Sequence, residues 1–161
     1  PPDACASFTT TLSQAALYRL SGDYNPLHVD PEVSSRVGFP RPILHGLCSL
    51  GVSVRLVLRA FGGDDPSRLQ SVKVRFSKHV FPGETLRVEM WLEQQQQQEQ
   101  QQQELLSSQQ QQREESSPNP TAASATTTTT TKVIFRTWVE ERKVLAITNA
   151  AVELLPPASR L

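Results

Sequence analysis

From Gly46 to Phe61 the chain is apolar around most of the circumference of a helix, with Leu47, Leu50, Val54, Val57 and Leu58 prominent, and Gly62-Gly63 stops it. A helix apolar nearly all round has to be buried, so the rest of the chain must supply a surface that wraps it. That surface is expected from the segments that follow. Ser71 to Val80 alternates Val72, Val74 and Phe76 with Lys73, Arg75 and Ser77, and Pro82-Gly83-Glu84 supplies a turn. Leu86, Val88, Met90 and Leu92 then alternate with Arg87, Glu89 and Trp91, the period of a strand with one wet face. Val133 to Val139 alternates similarly, and Val144 to Leu155 is a mostly apolar strand after the turn Glu141-Arg142-Lys143.

One long helix followed by an antiparallel meander predicts an α+β chain of the hot dog type, a sheet wrapped around a central helix. Between the second and third strands lies a tract of opposite character. From Gln94 to about Thr131 the sequence is glutamine broken by Glu, then Ser-Ser-Pro-Asn-Pro, then a run of threonine. A stretch with so little apolar surface cannot repay its ordering entropy, so 94–131 is expected to be a disordered insertion. Loop-closure cost grows only logarithmically with length, so an expanded hairpin loop need not disturb the sheet. The folded domain is therefore expected over 1–93 and 132–155, with 156–161 a flexible tail.

Composition narrows the partners. Lys plus Arg and Asp plus Glu are 16 each, a formal net charge of zero, which leaves no electrostatic footprint for nucleic acid or an acidic membrane surface. No apolar run is long enough to span a bilayer. Cys5 and Cys48 lack metal-type spacing and are expected to be reduced thiols. The opening Pro1-Pro2-Asp3-Ala4, without an initiator Met, suggests a piece of something longer. The closing Ser159-Arg160-Leu161 is a conservative version of the Ser-Lys-Leu address read by the peroxisomal import receptor, which suggests a peroxisomal location.

The chemistry is concentrated in Tyr18-Arg19-Leu20-Ser21-Gly22-Asp23-Tyr24-Asn25-Pro26-Leu27-His28, followed by Pro42-Ile43-Leu44-His45-Gly46. An acid and an imidazole five residues apart flank Asn-Pro, a turn in which Pro26 fixes its own backbone and restricts Asn25. Such stiffness suits a pair that holds one water, each contact needing a heavy-atom distance of about 3 Å. Gly46 opens the predicted helix, where backbone N–H groups lack internal partners and lie at the positive end of the dipole, so they can stabilise an oxyanion. Glycine there also lets a ligand approach closely. A water holder and an oxyanion donor are what hydration of a double bond conjugated to a thioester requires.

Three segments carry a family resemblance: Ser21 to His28, the helix entry Ile43-Leu44-His45-Gly46, and the turn Phe81-Pro82-Gly83-Glu84-Thr85-Leu86. Together they resemble the (R)-specific enoyl-CoA hydratase 2, or MaoC-like dehydratase, family. Ala15 to Leu20 running into the motif is similar to the hydratase segment of peroxisomal multifunctional enzymes of type 2. The resemblance covers most of 1–93 and, less sharply, 132–155. It implies a hot dog fold and reversible hydration of trans-2-enoyl-CoA to (3R)-3-hydroxyacyl-CoA in peroxisomal fatty acid β-oxidation, without metal or organic cofactor. Asp23 and His28 fall on the catalytic pair, Asn25 on the residue that orients them, and Gly46 on the oxyanion donor. Tyr24, Asn25, Pro26 and Leu27 fall on thioester and pantetheine contacts, and Phe76 on a ligand-facing strand position. Eukaryotic relatives fuse two hot dog repeats, so this chain is expected to form a homodimer or to pair with a second repeat. The glutamine and threonine insertion has no counterpart in the family pattern.

Plainer readings stand beside these. An Asx-Pro cluster commonly serves only as a capped turn. His45 is expected to satisfy backbone groups at the helix entrance and His79 to lie at the surface. Arg75 and Lys78 are candidates for CoA phosphates or a solvated strand face, and Cys48 for a buried apolar position. The competing functions are a hot dog thioesterase and a non-catalytic acyl-CoA-binding or assembly module.

Overall fold

The computed structural model describes residues 1–93 and 130–158. Nearly all of the expected insertion at 94–131, and the Ser159-Arg160-Leu161 address, lie outside the described residues.

Alternating strands need partners on both sides, and the meander supplies them. Strands β1 (Ala4–Thr9), β2 (Leu69–Phe76), β3 (Thr85–Glu93), β4 (Thr131–Val139) and β5 (Val144–Leu154) form one sheet. Its order is β1-β3-β4-β5-β2, and every neighbouring pair is antiparallel. β3 and β4 pair without a break from Leu86↔Val139 to Glu93↔Lys132, so the tract between them joins two strands in unbroken register. Three α-helices, α1 (Gln14–Arg19), α2 (Pro31–Arg36) and α3 (Gly46–Phe61), fill the stretch between β1 and β2, with α3 packed on the sheet.

Val54, Val57 and Leu58 of α3 join Val88, Met90 and Phe135 of the sheet in one buried cluster. Leu44, just before α3, and Cys48, in its first turn, form a second with Val80, Leu86, Val139 and Ala146. Each fully buried side chain of this size contributes about 1.5–3 kcal/mol. A polar link crosses the same interface: the Ser53 hydroxyl lies 2.8 Å from the Ser49 carbonyl and 2.9 Å from Thr137 Oγ1, and both Ser53 and Thr137 are fully buried. The hot dog arrangement expected from the sequence is the fold of this chain.

Four details differ from the sequence reading. β1 was not anticipated; its Ala4, Ala6 and Phe8 face the core while Cys5, Ser7 and Thr9 face out. The strand expected over Ser71–Val80 starts two residues earlier and stops at Phe76. Beyond it the chain turns toward the helix entry, where Leu44 N–H donates to the Val80 carbonyl at 2.7 Å. α3 is not buried all round: Leu47, Gly51, Arg55 and Arg59, spaced four apart, form an exposed stripe on the side away from the sheet. His79 is half-buried, its ring edge-on to Phe39 and Phe81.

Candidate active site

The turn that carries the acid and the imidazole is built from its own side chains. Asn25 N–H donates to Asp23 Oδ1 at 3.2 Å, and Asn25 Oδ1 accepts from Leu27 N–H at 3.0 Å, capping a 3-10 turn over Pro26–His28. Pro26 occupies the first position of that turn, where its missing N–H costs nothing. This short turn swings His28 inward, so that it is 9% exposed, and leaves the Asp23 side chain 51% exposed.

His28 Nδ1 lies 2.8 Å from the Ile43 carbonyl. A carbonyl only accepts, so Nδ1 carries the proton and Nε2 of the neutral ring presents a lone pair. Beneath it lies His45, the residue before α3, with ring centroids 3.7 Å apart and an interplanar angle of 27°. His45 is 2% exposed, and Tyr18 packs on it with ring centroids 4.8 Å apart. By the same logic its Nε2 donates to the Asp23 backbone carbonyl at 3.3 Å, and it lies 3.9 Å from Asp23 Oδ2. The sequence reading had His45 serving backbone groups at the helix entrance; the group it serves belongs instead to the Asp23 turn. Burial lowers the pKa of His45, and the neighbouring His28 lowers it further.

Gly46 opens α3 beside this group. Among the described residues neither Gly46 N–H nor Leu47 N–H donates to a backbone carbonyl or a side chain. A Cβ on Gly46 would lie 3.3 Å from the Phe76 ring, so the glycine keeps the approach to these N–H groups narrow but open. A cleft of about 230 Å³ runs past His28, Gly46, Ser49, Phe76 and Lys78. A second, of about 310 Å³, lies on the other side of His28, against Leu12, Ala15, Val29, Arg41 and Pro42.

The structure thus brings Asp23, Asn25, His28, Gly46 and Phe76 to one end of α3. Of the turn, only His28 lines a cleft; Asp23, Tyr24, Asn25, Pro26 and Leu27 line neither. Tyr24 is exposed, its carbonyl and ring both engaged by Arg19. Lys78 lines the first cleft and Arg75 does not. Cys48 is buried, which pushes its thiol pKa up, with a hydrogen bond to Gln14 acting the other way. Ser49 was missed by the sequence reading. It is 3% exposed and its Oγ has no partner among the described residues; its spacing of four from His45 was the available signal.

A donor atom from each of Asp23, His28 and His45 lies within 4.8 Å of the others, so these three side chains would be the ligand set for any cation here. Their hydrogen bonds leave one nitrogen on each ring without a proton when both are neutral.

The model of the MaoC-like domain matches residues 1–113. This chain belongs to the MaoC-like family. It is 59% identical over 93 residues to the peroxisomal multifunctional enzyme type 2 of Mus musculus, covering 58% of this chain and 13% of that relative. The structure of the full-length peroxisomal multifunctional enzyme type 2 from Drosophila melanogaster superposes with a TM-score of 0.70 at 41% identity, over 95% of this chain and 22% of that one. The crystal structure of a MaoC-like dehydratase from Phytophthora capsici gives a TM-score of 0.70 at 36% identity, over 98% of this chain and 43% of that one. The chain therefore spans less than half of the length of each of these longer relatives. Among the described residues no helix is long and apolar enough to cross a membrane.

Proposed function

We propose that this chain hydrates trans-2-enoyl-CoA to (3R)-3-hydroxyacyl-CoA, reversibly, in peroxisomal fatty acid β-oxidation. The observation that carries the reading is one juxtaposition. Asp23 and His28, an acid and a base with Nε2 free to accept, stand beside a helix N-terminus whose first N–H groups have no partner among the described residues. In this reading a water sits between Asp23 and His28. As its oxygen bonds to the β-carbon, the pair removes one of its protons. Electron density moves through the conjugated system onto the thioester oxygen, where Gly46 N–H stabilises the charge. The pair then returns a proton to the α-carbon, so that one water is added and nothing else is consumed. Asn25 holds the Asp23 carboxylate by its N–H, and Phe76 with Lys78 borders the path of the thioester arm.

The names of the Mus musculus and Drosophila melanogaster relatives, peroxisomal multifunctional enzyme type 2, support the compartment, and that of an Arabidopsis thaliana relative, enoyl-CoA hydratase 2, peroxisomal, supports the reaction. The thioester carries the acyl group as CoA, and the residues proposed for each step are all of this chain. The open edges β1 and β2, with Val72 and Phe76 of β2 exposed, support pairing with a second hot dog unit, either a copy or a fused repeat.

The test is the loss of conjugated enoyl-thioester absorbance on adding the chain to trans-2-enoyl-CoA, with the stereochemistry of the product determined. Asp23→Asn and His28→Ala should each lower kcat by about 10²–10⁴-fold without unfolding the chain. Turnover that survives both substitutions would sink this assignment of the pair.

A further inference from the structure

His45 lies outside the reaction as written, yet it touches both members of the pair. Its ring supports the face of His28 at 3.7 Å, and its Nε2–H holds the backbone carbonyl of Asp23 at 3.3 Å while standing 3.9 Å from the Asp23 carboxylate. Asp23 and His28 come from a short turn that is otherwise held by its own Asx contacts, by Arg19 on the Tyr24 carbonyl and ring, and by the bond from His28 Nδ1 to the Ile43 carbonyl. His45, by contrast, is fixed to the scaffold: it is 2% exposed, is the residue from which α3 springs, and is backed by Tyr18.

We infer that His45 is a positioning residue that sets the spacing of Asp23 and His28, one by hydrogen bond and the other by ring stacking, and so ties their turn to the start of α3. The inference rests on the proposed hydration. Two properties favour this over a merely space-filling role. An aliphatic side chain of similar volume would fill the site but offer no donor to Asp23, and a non-planar one would offer His28 no face. The two contacts also use different parts of one ring, edge and face, so they can be removed separately. Misplacement of reacting groups by about 1 Å can cost about a hundredfold in rate.

The experiment uses the intact chain with His45→Phe, which keeps the face and loses the donor, His45→Gln, which keeps a donor and loses the face, and His45→Ala, which loses both. His45→Ala should lower kcat about a hundredfold with KM little changed, and His45→Phe and His45→Gln should each recover part of that loss. Nitrogen–proton correlation spectra of the histidine rings give a readout that needs no turnover. His28 should show the Nδ1–H tautomer in the wild-type chain and a mixture of tautomers in His45→Ala. A folded His45→Ala with wild-type kcat and an unchanged His28 tautomer would overturn the inference, as would a loss expressed only in KM. If His45→Ala does not fold, a failure of both Phe and Gln to differ from the wild type in kcat and in the His28 spectrum overturns it equally. Should the wild-type chain show no hydration at all, the proposed function fails, and the ring spectra still decide whether His45 holds His28.

Discussion

Two polar clusters flank the start of the meander, and they are finished differently. At the turn into β3, Glu84 is 5% exposed and every lone pair of consequence is used: Oε2 accepts Phe81 N–H at 2.7 Å and Arg142 Nη2 at 2.9 Å, while Oε1 accepts Arg142 Nε. Arg142 in turn donates to the His79 carbonyl and lies over the Phe81 ring. At the entrance to α3, by contrast, Asp23 is half-exposed, and His45 Nδ1, Ser49 Oγ and the Gly46 N–H have no partner among the described residues. One cluster closes on itself and stabilises the fold. The other keeps hydrogen-bonding capacity unspent, which costs stability and leaves it for a ligand.

The contrast breaks most sharply if the closed cluster loses one member. Glu84→Ala leaves the Phe81 N–H without its acceptor and Arg142 with the His79 carbonyl alone, and removing the buried partner of this part-buried pair costs about 3 kcal/mol. Chemical denaturation should register that loss while kcat per folded molecule stays unchanged; a stable Glu84→Ala would show that the two clusters do not differ in kind. Gly46→Ala tests the open cluster. Its Cβ would meet the Phe76 ring at 3.3 Å, so the ring or the helix must give by a few tenths of an ångström. The expected result is about a tenfold fall in kcat/KM with almost no change in stability, because the error is one of position at the reacting centre.

The smallest effect is a dependence on pH. Burial, with His28 nearby, lowers the pKa of His45 from its ordinary 6.5, and burial with Arg142 does the same for His79. As pH falls, the unfolded chain takes up these protons first. The stability contributed by the neutral rings is therefore complete above about pH 6.5 and is lost progressively below it. Thermal unfolding between pH 8 and pH 5 should show a declining midpoint, and His45→Phe should flatten the decline. An unchanged slope in that variant would mean that His45 is not held neutral in the folded chain.

Much of this was legible in the residues. α3 occupies the span Gly46–Phe61 read from its apolar run and its Gly-Gly stop, because a helix that long and that apolar has few alternatives. β3, β4 and β5 were visible because one face of each is buried and the period of two survives. β1 was not, because Ala4-Cys5-Ala6-Ser7-Phe8-Thr9 carries little local strand preference and becomes a strand by pairing with β3. The exposed stripe through Leu47 on α3 was equally hidden, since a one-dimensional count of apolar residues cannot say which side of a helix the sheet covers. At the site, Asp23 and His28 stood out by spacing and chemistry. The stacking of His45 on His28 did not, because it depends on how a turn and a helix entry 17 residues apart meet in three dimensions.

The pairing of β3 with β4 ends at Glu93↔Lys132, beside the buried cluster of the later turns of α3, whereas Leu86↔Val139 lies with the cluster at the start of that helix. Seven residues of strand, at about 3.3 Å each, separate the two ends by roughly 23 Å. The place where the chain leaves and re-enters the sheet is thus remote from the place where Asp23 and His28 stand. A substitution confined to Glu93 or Lys132, at that far end, is therefore insulated from the chemistry by the full length of a hairpin.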